Sequence, residues 1–223
     1  MIVAVAGGKG GVGKSTVALN LGAALDAVVV DADLGMADLP AGRGPDLHDV
    51  LADRADPVEA VDESGPVALL PSGRTLAGAR AADPRGLVET LRAVAREYGP
   101  VVVDTPAGMA ADAGLPLLAA DEVVLVTTPA ATALADAVRT RELARELDAG
   151  LRAVVLNKAG PDPPRRRIRR LLGAPVTAIP EFAVVAGAQQ SGVPVADVAP
   201  DSPAVERIGT LAERIGSDPA TRP

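Results

Sequence analysis

The chain has 223 residues, 48% of them apolar and 23% charged, with a formal net charge of −7, one histidine, one tyrosine, one phenylalanine and no cysteine or tryptophan. That composition supports a sizeable core and excludes dominant disorder, and the missing cysteines exclude a disulfide scaffold, a cysteine-ligated zinc, an iron–sulfur cluster and a thiol nucleophile. There are too few aromatics for a base-stacking platform, no apolar run nears the ~20 residues of a membrane span, and the amino terminus MIVAVAGG lacks a signal peptide's basic region, so a soluble, cytoplasmic protein is expected.

In chain order, the first strand is read near Ile2–Ala6, followed by a glycine loop and a helix over Ser15–Leu25. Further strands are expected near Ala27–Asp31, Val67–Leu70, Val101–Asp104, Glu122–Thr127, Ala153–Asn157 and Val176–Ile179. They are valine-rich and apolar throughout, as strands covered on both faces are. Helices are expected around Leu47–Leu51, Arg85–Tyr98, Asp112–Ala119, Thr132–Leu147, Pro164–Leu172, Phe182–Gln190 and Pro203–Ile215. Alternation of this kind implies right-handed crossovers, hence a single-domain, mostly parallel twisted sheet with helices on both faces. The domain is expected over residues 1–216, with 217–223 as a flexible tail.

The segment GGKGGVGKST, Gly7 to Thr16, carries the chemistry. Gly8, Gly13, Lys14 and Ser15 match the phosphate-loop spacing G-x-x-x-x-G-K-[ST] after a strand and before a helix. Glycines let backbone N–H groups converge on phosphate oxygens, and the helix opening at Ser15 adds its positive dipole end. Lys14 is a point charge for the terminal phosphates, and the Ser15 hydroxyl can ligate Mg²⁺. Lysine is rare here. Of 22 basic residues only Lys9, Lys14 and Lys158 are lysines, and two of these lie in this loop, where a compact ammonium serves better than a planar guanidinium.

KGGVGKST, Lys9 to Thr16, resembles the deviant Walker A motif of the MinD/ParA family of P-loop ATPases. Asp31–Leu39 resembles the family's first switch, and Val101–Met109 its Walker B and second switch. Val126–Ala137, Leu156–Lys158 and Ile179–Val195 resemble later segments in family order, and the MinD-like branch matches best. The resemblance implies ATP and Mg²⁺, with Gly8, Lys9, Gly10, Gly11, Val12, Gly13, Lys14, Ser15 and Thr16 around the phosphates. It also implies that Lys9 reaches the partner's nucleotide across an ATP-dependent homodimer, so that Lys9, Lys14 and Asp33 carry the reaction.

Asp31 and Asp33 end the second strand, where carboxylates can serve a metal through water and orient the attacking water; by similarity Asp33 takes the water and Asp31 the metal's outer shell. Acids after an apolar strand also serve as helix caps. Asp104 reads as the Walker B carboxylate for Mg²⁺, and Gly108 lets the second switch move. Asn157 is the candidate for adenine recognition, because an amide donates and accepts together, with Pro180 and Glu181 flanking the base; a structural asparagine remains open.

Arg165, Arg166, Arg167, Arg169 and Arg170 could contact DNA phosphates, anionic lipid or an acidic partner, but at this net charge a solvated face balanced by an acidic neighbour is favoured. The last helix places Val205, Ile208, Leu211 or Ala212 and Ile215 on one face, a pattern for packing on the domain. Membrane contact is therefore not expected beyond a peripheral one. The leading expectation is a MinD-like ATPase switch that positions an unidentified protein partner in division, motility or a similar process. A ParA-like DNA-partition ATPase is the alternative, and a dethiobiotin-synthetase-like biosynthetic enzyme the third.

Overall fold

In the computed structural model, which describes residues 1–35, 39, 40, 42–108 and 111–217, every residue of the first strand, β1 (Ile2–Ala6), is buried. Parallel to it run β2 (Val28–Asp31), β3 (Leu69–Leu70), β4 (Val101–Asp104), β5 (Glu122–Thr127), β6 (Gly150–Ala159) and β7 (Val176–Pro180), in the spatial order β3-β2-β4-β1-β5-β6-β7. All six pairings are parallel. The strands therefore present all their carboxyl ends along one edge, where open α/β sheets bind ligands.

Ten helices are described: α1 (Lys14–Leu25), α2 (Leu47–Val50), α3 (Leu76–Ala81), α4 (Leu87–Tyr98), α5 (Ala111–Ala119), α6 (Ala131–Glu146), α7 (Arg165–Leu172), α8 (Ala183–Gln190), α9 (Val195–Val198) and α10 (Pro203–Gly216). Successive strand residues point to opposite faces. Val3, Val5, Val29, Val102 and Val155 meet α1 and α10, while Val28, Val30, Val101 and Val103 meet α2 and α4. Both faces are dry, which is why the strands read as unbroken apolar runs.

α4 buries Leu87, Thr90, Leu91 and Val94, the 3–4–7 spacing of one helical stripe. α10 starts at Pro203 behind a Ser202 cap that accepts from the Ala204 N–H at 3.2 Å, and buries Ala204, Ile208, Leu211, Ala212 and Ile215. Its apolar face is thus spent on the domain, and among the described residues no helix is long and apolar enough to cross a membrane. Ser217 is tied down, since the Arg152 guanidinium donates to its carbonyl and its hydroxyl donates to Arg214 O at 2.9 Å. The rest of the expected tail, 218–223, lies outside the described residues, as do 36–38 and Met109 of the two switch segments.

Candidate functional site: a nucleotide cleft at the phosphate loop

The loop after β1 is shaped by contact on one side and openness on the other. A Cβ on Gly8 would lie 2.6 Å from the Asp136 Cβ, so this glycine exists to let α6 pack on the loop. Gly11 and Gly13 have φ of +76° and +98°, the left-handed region in which glycine alone is unstrained. Around Gly10 and Gly11 an added Cβ would meet nothing within 4 Å, so the outer face is open. Val12 is buried in the core and pins the loop's middle. Lys14 and Ser15 are 6% and 7% exposed at the first turn of α1, whereas Lys9 stands exposed. A buried ammonium beside a helix's unbonded N–H groups makes an anion site.

The facing wall comes from the carboxyl ends of β6 and β7. Asn157 Nδ2 donates to Val12 O at 2.8 Å, and Lys158 Nζ donates to Gly11 O at 3.2 Å. Lys158 holds φ at +52°, and the β6–β7 register shifts between Asn157 and Ala159. The kink turns consecutive side chains toward the same loop. On α8, Gln189 Oε1 accepts from Thr16 Oγ1 at 2.5 Å. Together with Pro180, Glu181 and Phe182 these residues line a cleft of about 300 Å³. All three lysines of the chain thus converge on one loop.

The Asn157 amide bonds the phosphate loop and its side chain lines the cleft, so the structural reading of this residue is the one observed. Lys158 and Gln189 were not expected as site residues. The scarcity of lysine pointed at Lys158; nothing marked Gln189, a polar residue on an exposed helix.

Asp31 and Asp104 are register partners at the ends of neighbouring strands, 0% and 2% exposed. Asp31 accepts from the N–H of Asp33 at 3.1 Å and of Leu39 at 3.3 Å. Asp33 is half-buried, and its Oδ1 accepts from the Gly35 N–H at 3.3 Å. After β4, Thr105 donates to Val5 O at 3.2 Å, and Gly108 adopts φ +95° with no neighbour within 4 Å of an added Cβ. Carboxylate and hydroxyl oxygens are the donors that Mg²⁺ takes, so the chemistry of Asp31, Asp104 and Ser15 suits that ion.

The arginine helix departs from expectation. Arg165, Arg166, Arg167, Arg169 and Arg170 are all exposed, and none joins any ion pair formed among the described residues. The expected pairing with an acidic neighbour is therefore not formed at ion-pair distance among the described residues. Ile168 and Leu172 are the buried residues of α7, Arg141 donates to its Leu171 O at 2.8 Å, and Gly173 ends it in a left-handed turn.

A parallel sheet whose first strand runs through a glycine loop into a helix, with a buried lysine at the turn, defines a P-loop nucleotide-binding protein. The model of the CobQ/CobB/MinD/ParA nucleotide binding domain matches residues 3–195, and the chain belongs to that family. It is 33% identical to an uncharacterised ATP-binding protein of Methanocaldococcus jannaschii, over 98% of this chain and 89% of that one. It is 34% identical to the septum site-determining protein MinD of Synechocystis over 72% of this chain and 65% of that protein. The structure of Pyrococcus horikoshii MinD complexed with Mg-ADP superposes with a TM-score of 0.90 at 29% identity, covering 97% of this chain and 96% of that one.

Proposed function

We propose that this protein is a MinD-like ATPase of the cytoplasm that dimerises on ATP and, as a dimer, positions a partner protein assembly. The observation that carries this reading is the division between two lysines of one loop. Lys14 is buried where a terminal phosphate would sit, while Lys9 is exposed, beside Gly10 and Gly11 around which an added Cβ meets nothing within 4 Å. A cation placed there reaches a second nucleotide-bound copy.

The reaction is phosphoryl transfer to water: the water oxygen bonds the γ-phosphorus, the bond to the β,γ-bridging oxygen breaks, and ADP and phosphate leave. The protein supplies placement and charge compensation. Backbone N–H groups of Gly8 to Thr16 and the Lys14 ammonium hold the phosphates, Asp33 orients the water, and Asn157, Pro180 and Glu181 hold the adenine. Ser15, Asp31 and Asp104 would hold Mg²⁺, which when bound offsets charge on the phosphate oxygens. Among the described residues no arginine lines the cleft, so unaided turnover is slow and a partner accelerates it.

Light scattering of the purified Asp33→Ala variant tests the reading: a dimer with ATP and Mg²⁺ and a monomer with ADP are expected, and a monomer in both overturns the switch. A second reading, a DNA-partition ATPase, is supported by the unpaired arginines of α7. A salt-sensitive, ATP-dependent DNA mobility shift that disappears when the five become alanine would replace the first reading.

A further inference from the structure

The single histidine of the chain is 3% exposed and sits outside the cleft, on α2. Its Nε2 lies 3.0 Å from Leu34 O. A carbonyl can only accept, so Nε2 carries a proton and Nδ1 is the other ring nitrogen. That Nδ1 is buried with no hydrogen-bond partner among the described residues. The ring is backed by two glycines: a Cβ on Gly73 would lie 2.5 Å from Nδ1 and one on Gly78 3.0 Å from it. An apolar side chain would fill the same space without stranding a buried nitrogen, so what the imidazole contributes is its Nε2–H.

A second buried donor acts on the preceding residue. Ser72, 0% exposed, donates its hydroxyl to Asp33 O at 2.8 Å. The two donors are one unit, because the Leu47 and His48 N–H groups bond Pro71 O at 2.8 Å and Ser72 O at 3.2 Å. Asp46 and Asp49 cap the short helix reciprocally, which fixes its direction. From the other side Ala32 N donates to Asp104 O at 2.9 Å, and Asp31 accepts from Asp33 N. The peptide plane that follows the Asp33 Cα is therefore pinned from outside the nucleotide cleft, by Ser72, while the one before it is held by Asp31.

We propose that His48 and Ser72 are positioning residues for Asp33, holding two consecutive carbonyls so that its carboxylate points at the attacking water. This rests on the reading of Asp33 as the water-orienting group. Displacing a catalytic group by about 1 Å costs on the order of 100-fold in rate, and the loss falls on kcat when substrate binding is untouched.

The test compares His48→Met, which removes the donor, His48→Gln, which keeps an N–H at similar reach, Ser72→Ala and Asp33→Asn in the full chain. His48→Met and Ser72→Ala should lower kcat by roughly 10- to 100-fold with KM and ADP affinity within about twofold of the parent, and His48→Gln should recover most of the rate. Parental kcat in Ser72→Ala and in folded His48→Met, beside an inactive Asp33→Asn, overturns the clamp and leaves the reading of Asp33 standing. Parental hydrolysis by Asp33→Asn removes both. Because there is one histidine, its ring nitrogens can also be followed by NMR in the unaltered protein with a non-hydrolysable ATP analogue. A protonated, slowly exchanging Nε2 is expected. An unprotonated Nε2, or one exchanging as fast as free imidazole, overturns the proposal even if His48→Met does not fold.

Discussion

The amide nitrogen of Asn157 donates to the Val12 carbonyl at 2.8 Å and occupies the space that a Cβ on Gly13 would need. The last strand pair and the phosphate loop are therefore fitted to each other atom by atom, across 145 residues of sequence. Gly13→Ala meets both this amide and the strain of a φ of +98°, and is expected to abolish nucleotide binding. Asn157→Ala removes the bond to Val12 O and, on the proposed reading, the base contact. A loss of about 1–3 kcal/mol of ADP affinity is expected for a buried polar partner removed, measurable by titration calorimetry.

The two loop lysines should separate by assay. Lys14→Ala leaves the anion site without its buried cation and should lose the thermal stabilisation given by Mg-ADP. Lys9→Ala should keep that stabilisation, because its side chain is exposed and away from the cleft, and should stay monomeric with ATP. Size-exclusion chromatography with light scattering separates the two outcomes.

Glu122 makes stability depend on pH. Burial raises its carboxyl above the usual range against the lowering influence of Arg152, 3.4 Å away, and the neighbouring Asp121 charge raises it further. The folded protein therefore holds this proton to higher pH than the unfolded chain does. Stability from this group is present below the unfolded carboxyl range and is lost as pH rises through the raised folded value. Thermal melts from pH 4 to 7 should show the parent losing stability relative to Glu122→Gln as pH increases.

The arginines of α7 contribute charge without contributing to the fold. Replacing all five with glutamine takes the formal charge from −7 to −12. With no ion pair to break, the expected change is within about 0.5 kcal/mol per site, the range for surface substitutions, as read by urea denaturation.

Leu211 on α10 is fully buried. Leu211→Ala should cost about 2–5 kcal/mol. A helix held loosely for a membrane would lose nothing in the same denaturant titration.

The valine runs marked all seven strands because each is covered on both faces, and β1, β4 and β5 have the expected limits. β3 shrank to Leu69–Leu70, because only those residues pair with β2. α3 left no trace in the sequence: within LAGARA the one buried residue is Gly78, so no apolar stripe exists to read. The phosphate loop was legible because it is contiguous, and strand–loop–helix is its own context. The wall opposite it was legible in part: Asn157, Pro180 and Glu181 were expected there and line the cleft, but the way it meets the loop was not. Asn157 and Lys158 reach Val12 and Gly11 through a bulge that no spacing rule encodes, and Gln189 meets Thr16 only through the packing of α8.

Writing nearly every cation as arginine has a practical consequence for the bench. Apart from the amino terminus, the primary amines of this protein are gathered within a few residues of where a triphosphate would rest: one buried, one projecting outward, one bonded across the rim. Acylating reagents therefore footprint the nucleotide seat almost exclusively. Mass spectrometry of three modified peptides, with and without added nucleotide, would read occupancy and subunit pairing separately in a single sample.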